Sequence, residues 1–408
     1  MMEFLDTSNK QKYFKNDKVF HTINKQFLSL KENDTKRINS HLHPIIDEIL
    51  EKMKQDDFFK KVFQRKLFGG SYYKGTKIGA AIEFDIDIII RLPIDYKLIK
   101  VQKSNHPGFV NIHSGLELDK LTNDTQINRS LRKLLDENMY LHQGKFHNWM
   151  ESILIKAIQT LPKRENKYIL KLNDNEYIIT IKKSGPAFTF TILFSDNENI
   201  DIDLVPVLEF SKSPPGIDHL NSYQKQNWFA VPKPLYNYKG FNGKTQISWR
   251  TCFYEQEKEI LSKNGYIKQV IKLIKKLRDT QNWVNLASYY IETLALDEVQ
   301  SNKNLETKSC TILFMEMLHK LHKSLQNKRI TYYWDSKFNL LSKLRDEEIV
   351  NIKNRLDRIL KKIYNSIEDD KYIIASYILN PKELHILKFK DSEECEQPEQ
   401  TESRCTIF

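Results

Sequence analysis

Residues 69–87 read GGSYYKGTKIGAAIEFDID, and this stretch decides the fold. Gly69-Gly70-Ser71 is turn material, able to turn backbone N–H groups and a hydroxyl toward phosphate oxygens. Glu83 and Asp85 stand twelve and fourteen residues beyond Ser71, in EFDIDIIIRL. Acidic and apolar residues alternate there before a fully apolar end, which predicts a strand. Residues two apart on a strand point the same way, so Glu83, Asp85 and Asp87 share a face. A second stretch, NIDIDLVPVLEF at 199–210, repeats the pattern and pairs Asp201 with Asp203. Carboxylates crowded on one face repel each other unless cations sit between them. Hard divalent ions prefer such oxygen ligands, and two ions bridged by carboxylates suit displacement at phosphorus. The plain alternative is a solvated polar strand face.

Working outward, residues 17–68 show a helical pattern in Ile23, Phe27, Leu30, Ile38, Ile45, Ile46, Ile49, Leu50 and Met53, interrupted near Asn33–Asp34. YILKLNDNEYIITIKK predicts a hairpin around Asn173–Asn175, and AFTFTILF predicts a further strand. Residues 97–147 are polar and carry no clear pattern. Past Trp249 the texture is helical, in YIKQVIKLIKKLRDTQNW, SYYIETLALDEV, CTILFMEMLHKLHKSLQ and DEEIVNIKNRLDRILKKIYNSI. The expected fold is α+β and bilobal. A long N-terminal helix and a twisted mixed sheet form a catalytic lobe over 10–247, helices form a second lobe over 248–385, and residues 386–408 make an acidic, disordered tail.

The 408 residues are 40% hydrophobic, enough for a sizeable core. No apolar run approaches the ~18 residues of a membrane helix, and the N-terminus has no signal-peptide pattern, so a cytoplasmic protein is expected. The net charge is +11. The C-terminal stretch DSEECEQPEQTESRCTIF is acidic, so the remainder is more basic still and favours polyanionic partners. Cys252, Cys310, Cys395 and Cys405 form no CxxC pair, and the His41/His43 and His319/His322 pairs have no third ligand nearby, so no zinc site is expected. The terminal Cys405-Thr-Ile-Phe has the form of a prenylation box, with Cys395 placed for a second acyl chain. Prenylation of Cys405 is the one membrane contact the sequence offers, and its acidic flank works against it.

A glycine-serine turn, an acid-x-acid strand and a third acid on a distant strand follow the order of a nucleotidyltransferase. More specifically, the chain resembles the cyclic GMP-AMP synthase-like receptor family. The resemblance is carried in order by GGSYYKGTKIGAAIEFDI, SGPAFTFTI, IDIDLVPVLEF, WFAVPKP, SWRTCFYEQEKEIL, NLASYYIETL and KFNLL, across about residues 60–345. It implies that Glu83, Asp85 and Asp203 bind two Mg²⁺ or Mn²⁺ ions and that Ser71, shaped by Gly69 and Gly70, holds a triphosphate. It implies that Arg250 to Glu257, including Tyr254, line the acceptor nucleotide, and that Ser288 and Tyr289 lie near the donor, Tyr289 stacking on a base. It also implies that a lysine contacts phosphate, best fitted by Lys268, with Lys272 and Lys275 as alternatives on the same helix. Asp87 and Asp201 receive no role.

The family's vertebrate DNA sensor carries a His/Cys zinc insert after its Glu-Lys-Glu stretch. Here EKEILSKNGYIKQV runs on with no Cys or His, which places the chain in a zinc-free branch and argues for double-stranded RNA as activator. Duplex RNA is read by shape and phosphates, and Lys54, Lys60, Lys61, Arg65 and Lys66 of the first helix are the expected contacts, with the lysine side of 268–278. The implied function is RNA-triggered synthesis of a cyclic dinucleotide, cyclic GMP-AMP, from ATP and GTP, with dimerisation on the nucleic acid. The rivals are a template-independent RNA nucleotidyltransferase and a catalytically silent scaffold.

Overall fold

A computed structural model describes residues 11–80, 82–116, 125–194, 198–217, 226–235, 246–302 and 304–396. Cys405 lies outside the described residues. The helices are α1 (Gln11–Phe14), α2 (Lys18–Ile23), α3 (Glu32–Met53), α4 (Asp57–Val62), α5 (Gly70–Lys74), α6 (Gln126–Arg132), α7 (Gln143–Gln159), α8 (Tyr254–Lys263), α9 (Gly265–Thr280), α10 (Ser288–Ser301), α11 (Cys310–Gln326), α12 (Asp346–Ser366), α13 (Ala375–Ile378) and α14 (Pro381–Glu396). The strands are β1 (Phe63–Phe68), β2 (Glu83–Ile90), β3 (Lys100–Lys103), β4 (Phe109–His113), β5 (Lys163–Arg164), β6 (Lys167–Leu172), β7 (Asn175–Ser184), β8 (Ala187–Phe194), β9 (Glu198–Phe210), β10 (Trp228–Val231), β11 (Ser248–Cys252), β12 (Thr331–Tyr332) and β13 (Asp335–Asn339).

The expected α+β architecture is present, a large mostly antiparallel sheet with a helical domain after it. The order β3-β4-β11-β10-β9-β8-β7-β6-β5 is extended by β2, which pairs with β9, and by β1, which pairs with β2. The β2–β9 pairing is parallel and aligns Glu83 with Asp201 and Asp85 with Asp203. The hairpin at 173–175 forms as expected. Asn173 (φ 44°) and Asp174 (φ 65°) both take the left-handed conformation that a two-residue hairpin needs and that these side chains tolerate.

Several expectations need correction. Residues 17–68 do not form one long helix. The chain breaks at Ser29–Lys31 rather than at Asn33–Asp34, and Phe63–Phe68 is a strand paired antiparallel with β2. A six-residue run such as FQRKLF fits either period, and a neighbouring strand with open hydrogen-bonding groups settles it. Arg65 and Lys66 therefore sit on β1, not on a helix. The helical texture begins at Tyr254, because Ser248–Cys252 is a strand of the main sheet and crosses the expected boundary at 247. Within the second lobe, β12 and β13 form a small hairpin of their own. The region 97–147 supplies β3, β4, α6 and the start of α7. Helix α14 continues to Glu396, past the point where an unstructured tail was expected to begin.

One core cluster runs through both lobes. In α3, Ile38, Leu42, Ile45, Ile46, Ile49 and Met53 are buried at three- and four-residue spacings. In β2 the even residues Phe84, Ile86 and Ile88 are buried, so the odd residues point to the opposite face. Phe84 packs edge-on against Tyr72 of α5 with ring centroids 4.9 Å apart. Burying such a ring contributes roughly 1.5–3 kcal/mol, which fixes strand and turn against each other. Among the described residues no helix is long and apolar enough to cross a membrane.

Candidate active site

Glu83, Asp85 and Asp203 lie at the head of the β2–β9 pair, where the parallel register sets Asp85 across from Asp203. Polar neighbours on β8 make the crowding tolerable. Thr189 donates to Asp203 Oδ1 at 2.5 Å, and Thr191 donates to Asp201 Oδ1 at 2.6 Å. Each threonine fixes the rotation of the carboxylate opposite it. Burial, and then the charge of Asp203, raise the Asp85 carboxyl above the usual range. Asp87 lies deeper, and burial followed by the charge of Asp85 pushes it up to about 7. Glu83 is exposed and takes an ion pair from Lys77 at 2.7 Å.

The glycine-serine turn is seated directly on these acids. Gly69 N–H donates to the Asp85 carbonyl at 2.7 Å. Gly70 has φ +67°, and a Cβ there would overlap the Asp85 carboxyl, so only glycine both reaches this backbone conformation and leaves the acid its place. Ser71 stands in the first turn of α5, which closes on Gly75 (φ +75°). Gly75 N–H donates to the Tyr72 carbonyl at 3.0 Å and Thr76 N–H to the Ser71 carbonyl at 2.9 Å, the paired bonds of a glycine C-cap. Gly70→Ala is expected to cut catalysis by about 10²-fold or more, since it displaces Asp85 or the turn. Steady-state rates on the folded variant check this, and near wild-type turnover would refute the close seating.

The other carried-over residues lie on elements around this turn. Arg250 on β11 donates to the Gly108 carbonyl at 3.0 Å and stacks over Tyr332 (4.1 Å) and Phe338 (4.5 Å). Tyr254 opens α8 and is buried, with no partner for its hydroxyl in the structure. Burial raises its phenol well above the usual range. Ser288 Oγ accepts from Arg278 at 2.5 Å. Tyr289 donates to Glu257 at 2.6 Å, so its ring is held by a side chain from the acceptor segment. The three candidate lysines separate. Lys275 is buried in an ion pair with Glu292 at 2.9 Å, Lys268 lies against Gly75 at the end of α5, and Lys272 is half-buried between them.

Sequence reasoning missed a buried polar cluster. Lys74 Nζ meets Glu257 at 2.6 Å and Glu292 at 3.2 Å, while Thr76 Oγ1 and Lys275 both donate to Glu292 at 2.9 Å. Trp334 Nε1 donates to Glu257 at 2.9 Å. Burial opposes the charge of Glu292, but Lys74 and Lys275 bring its carboxyl down to about 2. The signal available was Glu292 itself, an acid inside the apolar run Tyr290–Leu296. Lys233, from the Val-Pro-Lys segment, was also missed. Burial first, then Arg250 and Lys343, push it down to about 8.

The donor set fits hard divalent ions, being all oxygen and held by strands. The Asp85 carboxyl, raised first by burial and then by the charge of Asp203, carries a like-charge crowding that such an ion would relieve. Among the described residues no three acidic, histidine or cysteine side chains already converge as a metal cage. Glu83 is turned toward Lys77 and Asp203 toward Thr189.

The expected RNA contacts divide. Lys54 pairs with Glu51, Lys66 with Asp47, and Arg65 makes a two-pronged bond to Glu209 at 2.7 and 3.0 Å. Lys60 and Lys61, in the last turn of α4, are exposed. On the 268–278 face, Lys275 is internal, Lys276 pairs with Glu383 and Arg278 with Asp279, so that face is not the open lysine row expected.

Comparison with known proteins agrees with this arrangement. Residues 72–263 match the Mab-21 protein nucleotidyltransferase domain, and residues 266–377 match the Mab-21 protein HhH/H2TH-like domain. A cyclic GMP-AMP synthase-like receptor from Microplitis demolitor is 38% identical over 399 residues, covering 96% of this chain and 73% of that one. Another from Trichogramma pretiosum is 36% identical, covering 91% and 78%. Cyclic GMP-AMP synthase-like receptor 1 of Drosophila melanogaster is 25% identical, covering 83% and 89%. An acid face shared by two parallel strands, a turn that only glycine can make against it, and relatives that match over nearly all of this chain carry one conclusion: the chain belongs to the cyclic GMP-AMP synthase-like receptor family and is a Mab-21-type nucleotidyltransferase.

Proposed function

We propose that this protein is a cytoplasmic innate immune sensor that, on binding double-stranded RNA, joins ATP and GTP into cyclic GMP-AMP. The observation that carries the reading is the register of β2 on β9, which sets Asp85 across from Asp203 beneath the Gly69–Ser71 turn. Glu83, Asp85 and Asp203 would hold two Mg²⁺ or Mn²⁺ ions, which when bound supply charge neutralisation at the phosphoryl group and a more acidic attacking hydroxyl. The Asp203 carboxylate takes the proton of an acceptor ribose hydroxyl. The hydroxyl oxygen bonds to the donor's α-phosphorus, the bond from that phosphorus to the bridging oxygen breaks, and pyrophosphate leaves on the side of the Ser71 hydroxyl. Arg250, stacked on Tyr332, faces the acceptor, and Tyr289 faces the donor base, with Lys268 beside its phosphates. The linear product then turns over in the same site and the ring closes.

Purified protein incubated with labelled ATP and GTP, with and without duplex RNA, tests the reading. A cyclic dimer formed in response to RNA supports it. A lengthened RNA would identify a tailing enzyme instead, and no product would leave a silent scaffold.

Lys233 gives this chemistry a pH dependence. Its folded value of about 8 lies below that of a free lysine, so the ammonium is present below that pH and lost above it. If Lys233 attracts the acceptor nucleotide alongside Arg250, KM for that nucleotide rises up to about tenfold from about pH 7 to about pH 9. Lys233→Met should flatten this rise and start from the higher KM. An unchanged profile in the variant would assign the titration elsewhere.

A further inference from the structure

The short helix that carries Ser71 has little of its own to hold it. Helix α5 has five residues, too few for stability by backbone bonding alone. Its N-terminal end rests on Asp85 through Gly69. Its C-terminal end is gripped from the helical lobe. Lys74 reaches Glu257 of α8 and Glu292 of α10, while Thr76, one residue beyond the Gly75 cap, donates to the same Glu292. Lys275 of α9 completes the cluster on the Thr76 carbonyl at 3.2 Å and on Glu292. Both residues that flank Gly75 are therefore tied to one carboxylate. Thr76 N–H, in turn, holds the Ser71 carbonyl.

Two lysines and two glutamates balance in charge, and their side chains are between 3% and 6% exposed. Such a cluster adds little net stability over apolar residues of the same shape, because desolvating four charges offsets their attraction. What it does enforce is geometry. A buried ion pair loses much of its attraction on small displacement, whereas an apolar contact can slide. Glu257 also receives Tyr289 and Trp334, so the cluster joins the turn, the acceptor segment and the first turn of α10.

We infer that Lys74 and Glu292 are positioning residues, acting through α5 to set the Ser71 hydroxyl against the catalytic acids. The inference rests on the proposed role of Ser71 at the triphosphate and adds the device that places it. The test is a double-mutant cycle on the full chain. Ser71→Ala, Lys74→Met and their combination are compared by kcat, nucleotide KM and thermal unfolding. Thr76→Val is a milder variant that removes one hydroxyl should Lys74→Met fail to fold. Lys74→Met or Thr76→Val is expected to lower kcat by about 10- to 100-fold in a protein that still melts cooperatively. In the Ser71→Ala background the same change should add less than about threefold, because the group it positions is gone. Lys74→Arg, which keeps the charge, should recover part of the loss. Full multiplicative losses alongside an impaired Ser71→Ala would overturn the positioning role and leave the site reading intact. An inert Ser71→Ala would overturn both. Unchanged kcat in folded Lys74→Met or Thr76→Val would overturn the positioning role alone.

Discussion

Asp203→Ala, or Glu83→Ala together with Asp85→Ala, is expected to reduce dinucleotide formation by about 10³-fold or more, while duplex RNA binding stays within about twofold of wild type. The three acids stand at the head of the β2–β9 pair, whereas the exposed cations Lys60 and Lys61 lie on α4 before β1. Losing the acids removes the groups that would hold the ions and accept the ribose proton. It removes no surface cation. Removing Asp203 also strands the Thr189 hydroxyl that donates to it, at a cost of about 1–3 kcal/mol. Asp203→Asn keeps an oxygen for Thr189 and removes the charge, so it separates chemistry from folding. Both Asp203 variants should be inactive in Mg²⁺ and Mn²⁺, and only the alanine should lose appreciable thermal stability. Near wild-type product from the double variant would show that the acids are misassigned.

Those acids were legible because strand alternation is a short-range rule. EFDID and NIDID announce which residues share a face before any partner strand is known. What the sequence could not announce is that the two strands would be parallel neighbours in a register setting Asp85 across from Asp203, since pairing is decided by distant chain segments. The same limit explains β1. FQRKLF is short, its cations read as helix surface, and only pairing with β2 makes it a strand. Arg65 was accordingly read as a free phosphate contact, although Glu209, far away on β9, takes both prongs of its guanidinium.

Lys74 was invisible for a related reason. In a chain with 64 lysines and arginines, a single lysine after two tyrosines has no local mark of burial. Its environment is made by Glu257 and Glu292 on two helices much later in the chain. Charge that looks like solvated surface in sequence becomes internal architecture when opposite charge arrives from elsewhere. This also lowers the number of cations free to meet a polyanion, so the set open to one is smaller than composition suggests.

Lys60 and Lys61 belong to that smaller set, and the last prediction concerns them. Long duplex RNA is expected to stimulate product formation, while duplex DNA binds but stimulates little. Binding by itself does not discriminate, because a net charge of +11 attracts any polyanion. Activation needs more, namely a bound duplex that favours the catalytic arrangement over the resting one. Helix α4 ends at Val62, β1 runs from Phe63 to Phe68, and Gly69 follows at once with its N–H on Asp85. Lys60 and Lys61 are thus joined to the turn that bears Ser71 by a strand paired with β2, whose register is irregular between Phe63 and Arg65 and regular from Arg65 to Phe68. Lys60→Glu combined with Lys61→Glu should lower RNA-stimulated activity by about tenfold or more, yet leave basal Mn²⁺-supported activity within about twofold. The RNA response should also fall steeply with added salt, and the double variant should show a shallower salt dependence because two phosphate contacts are gone. Product measured against RNA, DNA and salt, for wild type and variant side by side, decides the matter. Equal stimulation by DNA and RNA, or an unaltered RNA response in the double variant, would rule out this activating surface while leaving the acids and the turn where they are.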